Sequence, residues 1–421
     1  MLRRHFANLI GRRHRGWGIF ALVFTNLTVE GAMKNSAPVV FLALRESFGR
    51  SAAATAGIFS AAGLTGALCA PLLGKLFDRV GPRYLFPVGG LLILVGYLSS
   101  SLVSDFWQLF ILYGLIATLG ETTISSFTAT ANLAPWFPRA RGRVLGLADA
   151  GNPLGQGIFV PLAGLLISSM GWRSTFRIFG PLFFLMVAPA NFLFQRRPPI
   201  PEVGVPQENM ALEVIETPSA VTENMEFKQL LRTWPLWCLV SARSFASFGT
   251  QLTNLHMVAF FVVAGYSPIQ AASILGAVGL LGLAGRPISG ALSDYLGREL
   301  IYTLGMGMQV GAIVLVLVFG DGHSLWPIVL FVGLSGLSDG IGGLAVSAKA
   351  ADLFPANALG SVMGLVQGGR GVGIMLGPIL GGLLFDLRGD YMVAFSLAMS
   401  LVLVAIAFMW TARFTTGTLR S

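Results

Sequence analysis

Twelve transmembrane helices in two pseudo-symmetric six-helix bundles, an all-α integral membrane protein, is the architecture this sequence predicts. Three observations carry that reading. Only 11% of the 421 residues are charged and 54% are hydrophobic, whereas a soluble protein is about 25% charged. Apolar stretches of roughly 20 residues recur from one end to the other, each long enough to cross about 30 Å of hydrocarbon as a helix. A β-barrel would instead show short segments alternating polar and apolar. Finally, glycines, prolines and acids of the first half return in the second at a nearly fixed offset.

The elements follow in order. Residues 1–16 are basic, and their apolar stretch is too short for the core of a signal peptide, so they read as a cytoplasmic tail. Spans are expected at 17–42, 52–74, 84–104, 106–131, 142–168 and 174–195. These make an N-terminal bundle, 17–195. Residues 196–232 hold six Glu, several Pro and one aromatic. Such a composition cannot bury enough apolar surface to fold, and it reads as a cytoplasmic linker. Six more spans are expected at 233–264, 267–290, 299–319, 325–350, 358–384 and 391–412. These form the C-terminal bundle, 233–412, followed by a cytoplasmic tail, 413–421. Cys69 and Cys238 both fall in apolar segments, so no disulfide is expected.

The net charge of +9 would suit a nucleic-acid binder. The placement of the charges argues otherwise. With both termini inside, 18 Lys and Arg fall on the inner side, five on the outer side and five within spans. That asymmetry is the positive-inside pattern of a membrane protein. No G-x-x-x-x-G-K-[ST] sequence is present, so ATP is not the direct driver.

The two halves repeat in detail. "PLLGKLFDRVGPR" (71–83) matches "PISGALSDYLGRE" (287–299) at an offset of 216. Gly142, Gly146, Gly151, Gly155, Gly164 and Gly171 pair with Gly360, Gly364, Gly369, Gly373, Gly382 and Gly389 at an offset of 218. Parallel six-helix repeats place a binding site between the halves, near the midplane. Gly369, Gly373, Gly377 and Gly381 also form one stripe along a helix, suited either to close packing or to sliding.

The loop "GKLFDRVGPR" resembles the signature loop of the major facilitator superfamily, with Pro82 where Arg is usual. That resemblance implies a gate latch of Asp78, Arg79 and Arg83, mirrored by Asp294 and Arg298. "WFPRARGRVLGLADAGNPLG" (136–155) resembles the monocarboxylate porter signature, with Asn152 in the place of its Ser. "GWG" (16–18), "LHMVAFFVVAGYSPIQAA" (255–272) and "GRPISG" (285–290) are similar to bacterial members and to oxalate–formate exchangers. The resemblance implies that Lys34 and Arg286 meet the substrate carboxylate. It also implies a cation in span 11, which is Arg370 here. Animal members carry an Asp one turn before the span 8 arginine; this chain has Gly282.

Leaving aside residues at the span ends, nine charges lie within the spans, and each needs a cavity or a partner to be tolerated there. Glu30 and Lys34 stand four apart, on one helix face, as an internal ion pair or as a held and released anion site. Arg286 suits bidentate grip of a carboxylate, or it snorkels towards the nearby loop. Arg243 lies in span 7. His256 serves as a structural donor or as a substrate and proton contact. Asn152 joins the substrate-binding set. Glu121, Asp149 and Glu30 are the candidates for proton carriage, or they neutralise neighbouring arginines. Lys349 is expected to snorkel, and Asp339 is given no role.

The expected function is secondary transport of a small organic anion, a carboxylate, by proton symport or by exchange for another anion. An exporter of cationic drugs would line its cavity with acids and aromatics. With His256 the only histidine in a span, a metal-dependent intramembrane enzyme is not expected, and the loops leave no room for a sensor's output domain. No cofactor or metal is expected. The chain is expected to work as a monomer in a bacterial cytoplasmic membrane.

Overall fold

A computed structural model describes residues 2–137, 141–196, 227–319, 324–354 and 356–414. Most of the expected linker and the C-terminal tail lie outside these residues. Helix α1 runs over Leu2–Asn35 and continues as Ala37–Phe48 after a break at Ser36. The basic tail is therefore helical and continuous with the first span. Helices α2 (Ala52–Val80) and α3 (Pro82–Ser100) follow. Helix α4 occupies Gln108–Trp136, with a π-helical turn at Leu112–Ala117 and a break before Ser126.

Helices α5 and α6 occupy Arg141–Asp149 and Gly151–Phe194. They divide at Gly171, whose φ of 78° lies outside the helical region and is open to glycine. After a short turn at Phe227–Leu230 come α7 (Trp234–Val263), α8 (Pro268–Leu296) and α9 (Arg298–Phe319). Helix α10 is split into Trp326–Ser338 and Ile341–Leu353; α11 (Ala356–Arg388) and α12 (Met392–Phe414) close the chain.

Among the described residues, nine helical stretches are long and apolar enough to cross a membrane. One of them, Gly142–Phe194, is the α5–α6 pair. Helices α1 and α7 complete the twelve and fall outside that set. Both are long, but α1 carries Asn26, Glu30, Lys34 and Asn35, and α7 carries Gln251, Asn254 and His256. The two helices outside that set thus open the two bundles.

The face that bears the start of α1 is called here the terminal face, and its opposite the far face. The halves join at the far face. Ala52 and Ala53 N–H, at the start of α2, donate to Asp386 Oδ1 and Oδ2 at the end of α11, both at 2.8 Å. Gln156 Nε2 of α5 donates to the Leu275 carbonyl of α8 at 2.8 Å. Arg45 stacks on Phe385, 4.5 Å from the ring centre.

Towards the terminal face the contact is lost. A Cβ added at Gly142 or Gly146 of α5, or at Gly364 or Gly368 of α11, would meet nothing within 4 Å. The molecule is closed at the far face and parted at the terminal face. The glycine stripe of α11 faces α7 in the same half: a Cβ at Gly373 would stand 2.5 Å from Phe248 N. Close packing, rather than sliding between halves, is what this stripe provides here.

Candidate functional site

Helices α1 and α5 approach backbone to backbone where glycines cross. A Cβ at Gly31 would lie 2.1 Å from the Asn152 carbonyl oxygen, and one at Gly155 would lie 2.0 Å from that of Thr28. This approach seats Glu30, only 6% exposed, against α4 and α5. Its Oε2 accepts from Asn152 Nδ2 at 3.0 Å and from Ser126 N–H at 3.0 Å. Ser126 has that N–H to give because it opens the second segment of α4, where amides lack a helical partner.

The chain of contacts continues through side chains. Ser126 Oγ lies 3.2 Å from Glu30 Oε2 and 3.0 Å from Asp149 Oδ1. Asn152 Nδ2 also reaches Ser126 Oγ, at 3.3 Å. Asp149 Oδ2 accepts from Arg286 Nη1 in an ion pair. Arg286 Nε donates to Asp339 Oδ2 at 2.9 Å. One connected path, Glu30–Ser126–Asp149–Arg286–Asp339, therefore crosses from the first bundle to the second. The crossing is the Asp149–Arg286 pair.

Asp339 was counted in the sequence without a role, and two features bring it in. It caps the first segment of α10 where that helix breaks. One turn before Arg286, Gly282 leaves room: a Cβ there would stand 3.1 Å from Asp339 Oδ2. The carboxylate that residue 282 does not supply comes from α10 instead. The signals available in sequence were the Asp-Gly pair at 339–340, a turn-forming dipeptide, and Gly282 itself.

The other cations stand differently. Glu30 and Lys34 share a helix face but form no ion pair. Lys34 is exposed, and no hydrogen bond or ion pair reaches it among the described residues. The same holds for the guanidinium groups of Arg370 and Arg243 among those residues. The charge acting most strongly on Lys34 is that of Arg370, ahead of Glu30, Glu121 and Arg286. The charge of Arg370 in the second bundle thus reaches Lys34 in the first, while the charges acting on Arg370 are those of Glu30 and Asp149. Glu121 also forms no ion pair or side-chain hydrogen bond among the described residues, and the charges acting on it are those of Glu30 and Lys34.

The remaining expectations divide. His256 is fully buried; its Nε2 lies 2.9 Å from the Pro378 carbonyl and its Nδ1 3.5 Å from Tyr391 Oη. Its ring packs on Phe41. Lys349, expected to snorkel, instead pairs with Glu299 at 2.6 Å. Asp78 is exposed, Arg83 Nε donates to the Phe192 carbonyl at 3.1 Å, and Arg298 pairs with Asp352 at 3.3 Å. The Asp294 side chain lies outside the described residues.

Twelve helices in two repeated bundles, joined at one face, parted at the other and lined by charge at the middle, define a membrane solute carrier. The chain belongs to the Major Facilitator Superfamily, whose profile matches residues 19–332 and 297–420. It is 26% identical over 387 residues to "Monocarboxylate transporter 13" of Bos taurus, covering 91% of this chain and 86% of that one. It is 28% identical over 412 residues to "Monocarboxylate transporter 3" of Rattus norvegicus, covering 94% and 79%. The crystal structure of a bacterial homolog of the human lysosomal transporter Spinster, inward-facing and unoccupied, superposes with a TM-score of 0.71 at 16% identity, over 96% of this chain and 98% of that one. At that identity the likeness shows the fold.

Proposed function

We propose that this chain is a secondary active transporter that moves a small carboxylate by alternating access, with a proton as the coupled ion. The observation that carries the proposal is that Lys34 and Arg370, cations from opposite bundles, form no ion pair among the described residues while the charge of Arg370 reaches Lys34. Like charges repel, and an anion between them converts that repulsion into attraction for both halves. The names of the relatives supply the substrate class. The concentration of Lys and Arg at the terminal face supports reading that face as the cytoplasmic one.

Arg286 joins this scheme at a second stage. In the present arrangement both of its arms are taken by carboxylates. A proton delivered to Asp149 would cancel the charge that holds Arg286 across the bundle interface. The freed arm could then turn to the substrate carboxylate, so the proton would load before the anion. Exchange of one anion for another is favoured by a different feature: without an anion, Lys34 and Arg370 resist closure.

The test is uptake of radiolabelled mono-, di- and tricarboxylates into proteoliposomes. Accumulation under a pH gradient supports symport. Uptake only against a preloaded anion supports exchange. Uptake of none of these acids would remove the reading.

A further inference from the structure

Ser126 Oγ sits between two carboxyl groups, 3.2 Å from Glu30 Oε2 and 3.0 Å from Asp149 Oδ1. A serine hydroxyl has one proton to donate and lone pairs to accept. If Glu30 and Asp149 are both ionised, the hydroxyl satisfies one, and the other oxygen faces a lone pair at contact distance. The remaining donors do not remove the conflict. Ser126 N–H and Asn152 Nδ2 both point at Glu30, and the second contact of Asn152 is to Ser126 Oγ itself. Arg286 holds the opposite oxygen of Asp149. One added proton satisfies every contact: a protonated carboxyl donates to Oγ while the hydroxyl donates to the other carboxylate.

We infer that Ser126 is a proton relay between Glu30 and Asp149, and that the position of this one proton controls the Asp149–Arg286 bridge between the bundles. The inference deepens the proton coupling proposed above and rests on that reading. The step is balanced. The Glu30 O–H bond breaks as a bond forms from that proton to Ser126 Oγ, and the original Ser126 proton passes to Asp149 Oδ1. One proton moves, and the serine is left as it began with its hydroxyl turned round. Asp149 becomes neutral, and Arg286 keeps Asp339 as its remaining ionised partner.

The surroundings suit this step. Glu30 is almost buried, whereas the Asp149 side chain is 39% exposed. The relay therefore joins a sheltered carboxyl to a wet one. The charges facing the pair are Lys34 on α1, Glu121 on α4, Arg286 on α8, Asp339 on α10 and Arg370 on α11. The break in α4 is what points the Ser126 hydroxyl and amide to the same place.

The experiment uses the full chain in lipid. Infrared difference spectra between acid and alkaline solution report protonated carboxyls and need no substrate. The carboxyl band of the shared proton should be perturbed by Glu30→Gln, by Asp149→Asn and by Ser126→Ala, and restored by Ser126→Thr. In proteoliposomes, Ser126→Ala should lower the ratio of pH-driven accumulation to equal-pH counterflow by about a hundredfold, the low end for a placed proton-transfer group. Ser126→Thr should recover most of it, and circular dichroism checks that each variant is folded. An unchanged band and an unchanged ratio in Ser126→Ala would overturn the relay. If the infrared pattern appears but no carboxylate moves, the relay stands and the substrate reading fails.

Discussion

Arg286 on α8 and Arg370 on α11 belong to the same bundle and carry the same group in opposite company. Arg286 is clasped by Asp149 and Asp339, one carboxylate from each bundle. Arg370 forms no ion pair among the described residues, and the charges acting on it are those of Glu30 and Asp149. A buried charge without a partner lowers stability, and such residues inside membranes mark sites of function. The contrast assigns the two arginines different work. Arg286 fastens the bundles together, and Arg370, on the proposed reading, waits for a ligand.

The largest effect expected from breaking this contrast is on stability. Arg286→Gln strands two carboxylates and should cost roughly 2–4 kcal/mol; the figure sits low in the range for a broken buried pair because both acids are a third or more exposed. Unfolding in detergent by chemical denaturant would measure it. Arg370→Gln should cost nothing, or stabilise. A matching loss in both variants would erase the distinction.

Next comes binding. Lys34→Gln and Arg370→Gln should each weaken carboxylate binding by roughly 1.5–3 kcal/mol, the worth of a charge-assisted hydrogen bond, read by titration calorimetry. Since Lys34 is not paired with Glu30, adding Glu30→Gln to Lys34→Gln should not restore transport. Recovery in that double variant would return the two residues to a structural ion pair.

A smaller effect sharpens the Arg286 side. Gly282→Ala places a methyl 3.1 Å from Asp339 Oδ2 and should push that carboxylate off Arg286. The expected cost is about 1 kcal/mol, within the range for overpacking, visible as a lower thermal midpoint. The smallest expected change is at the far face. Asp386→Asn removes the charge from the start of α2 and should cost about 0.3–1 kcal/mol, measured in the same thermal assay.

The spans, the repeat and the list of intramembrane charges could be read from sequence because each depends on local composition or register. The company those charges keep could not. Arg286 meets Asp149 and Asp339 across 137 and 53 residues of chain, and nothing local specifies either meeting. The Asp339 contact depends on the helix break at Asp339–Gly340 in α10, and the Ser126 contacts on the break before Ser126 in α4, both inside segments that read as continuous apolar spans. Residues four apart on one helix invited pairing of Glu30 with Lys34. The close crossing of α1 and α5 gave Glu30 better donors. His256 was ambiguous in sequence because its two partners, Pro378 and Tyr391, lie more than a hundred residues away.

The clasp of Asp386 on Ala52 and Ala53 has a consequence for time as well as for strength. These two amides begin a helix, so nothing within α2 can accept from them. While the far face is shut they are shielded from deuterium; when it opens they meet solvent. Their deuteration rate should therefore count openings of the far face, with no label or substrate attached. Added substrate should slow or quicken these two amides while leaving those in the middle of α2 unmoved. Uniform change along the helix would mean that α2 frays as a whole and keeps no such record.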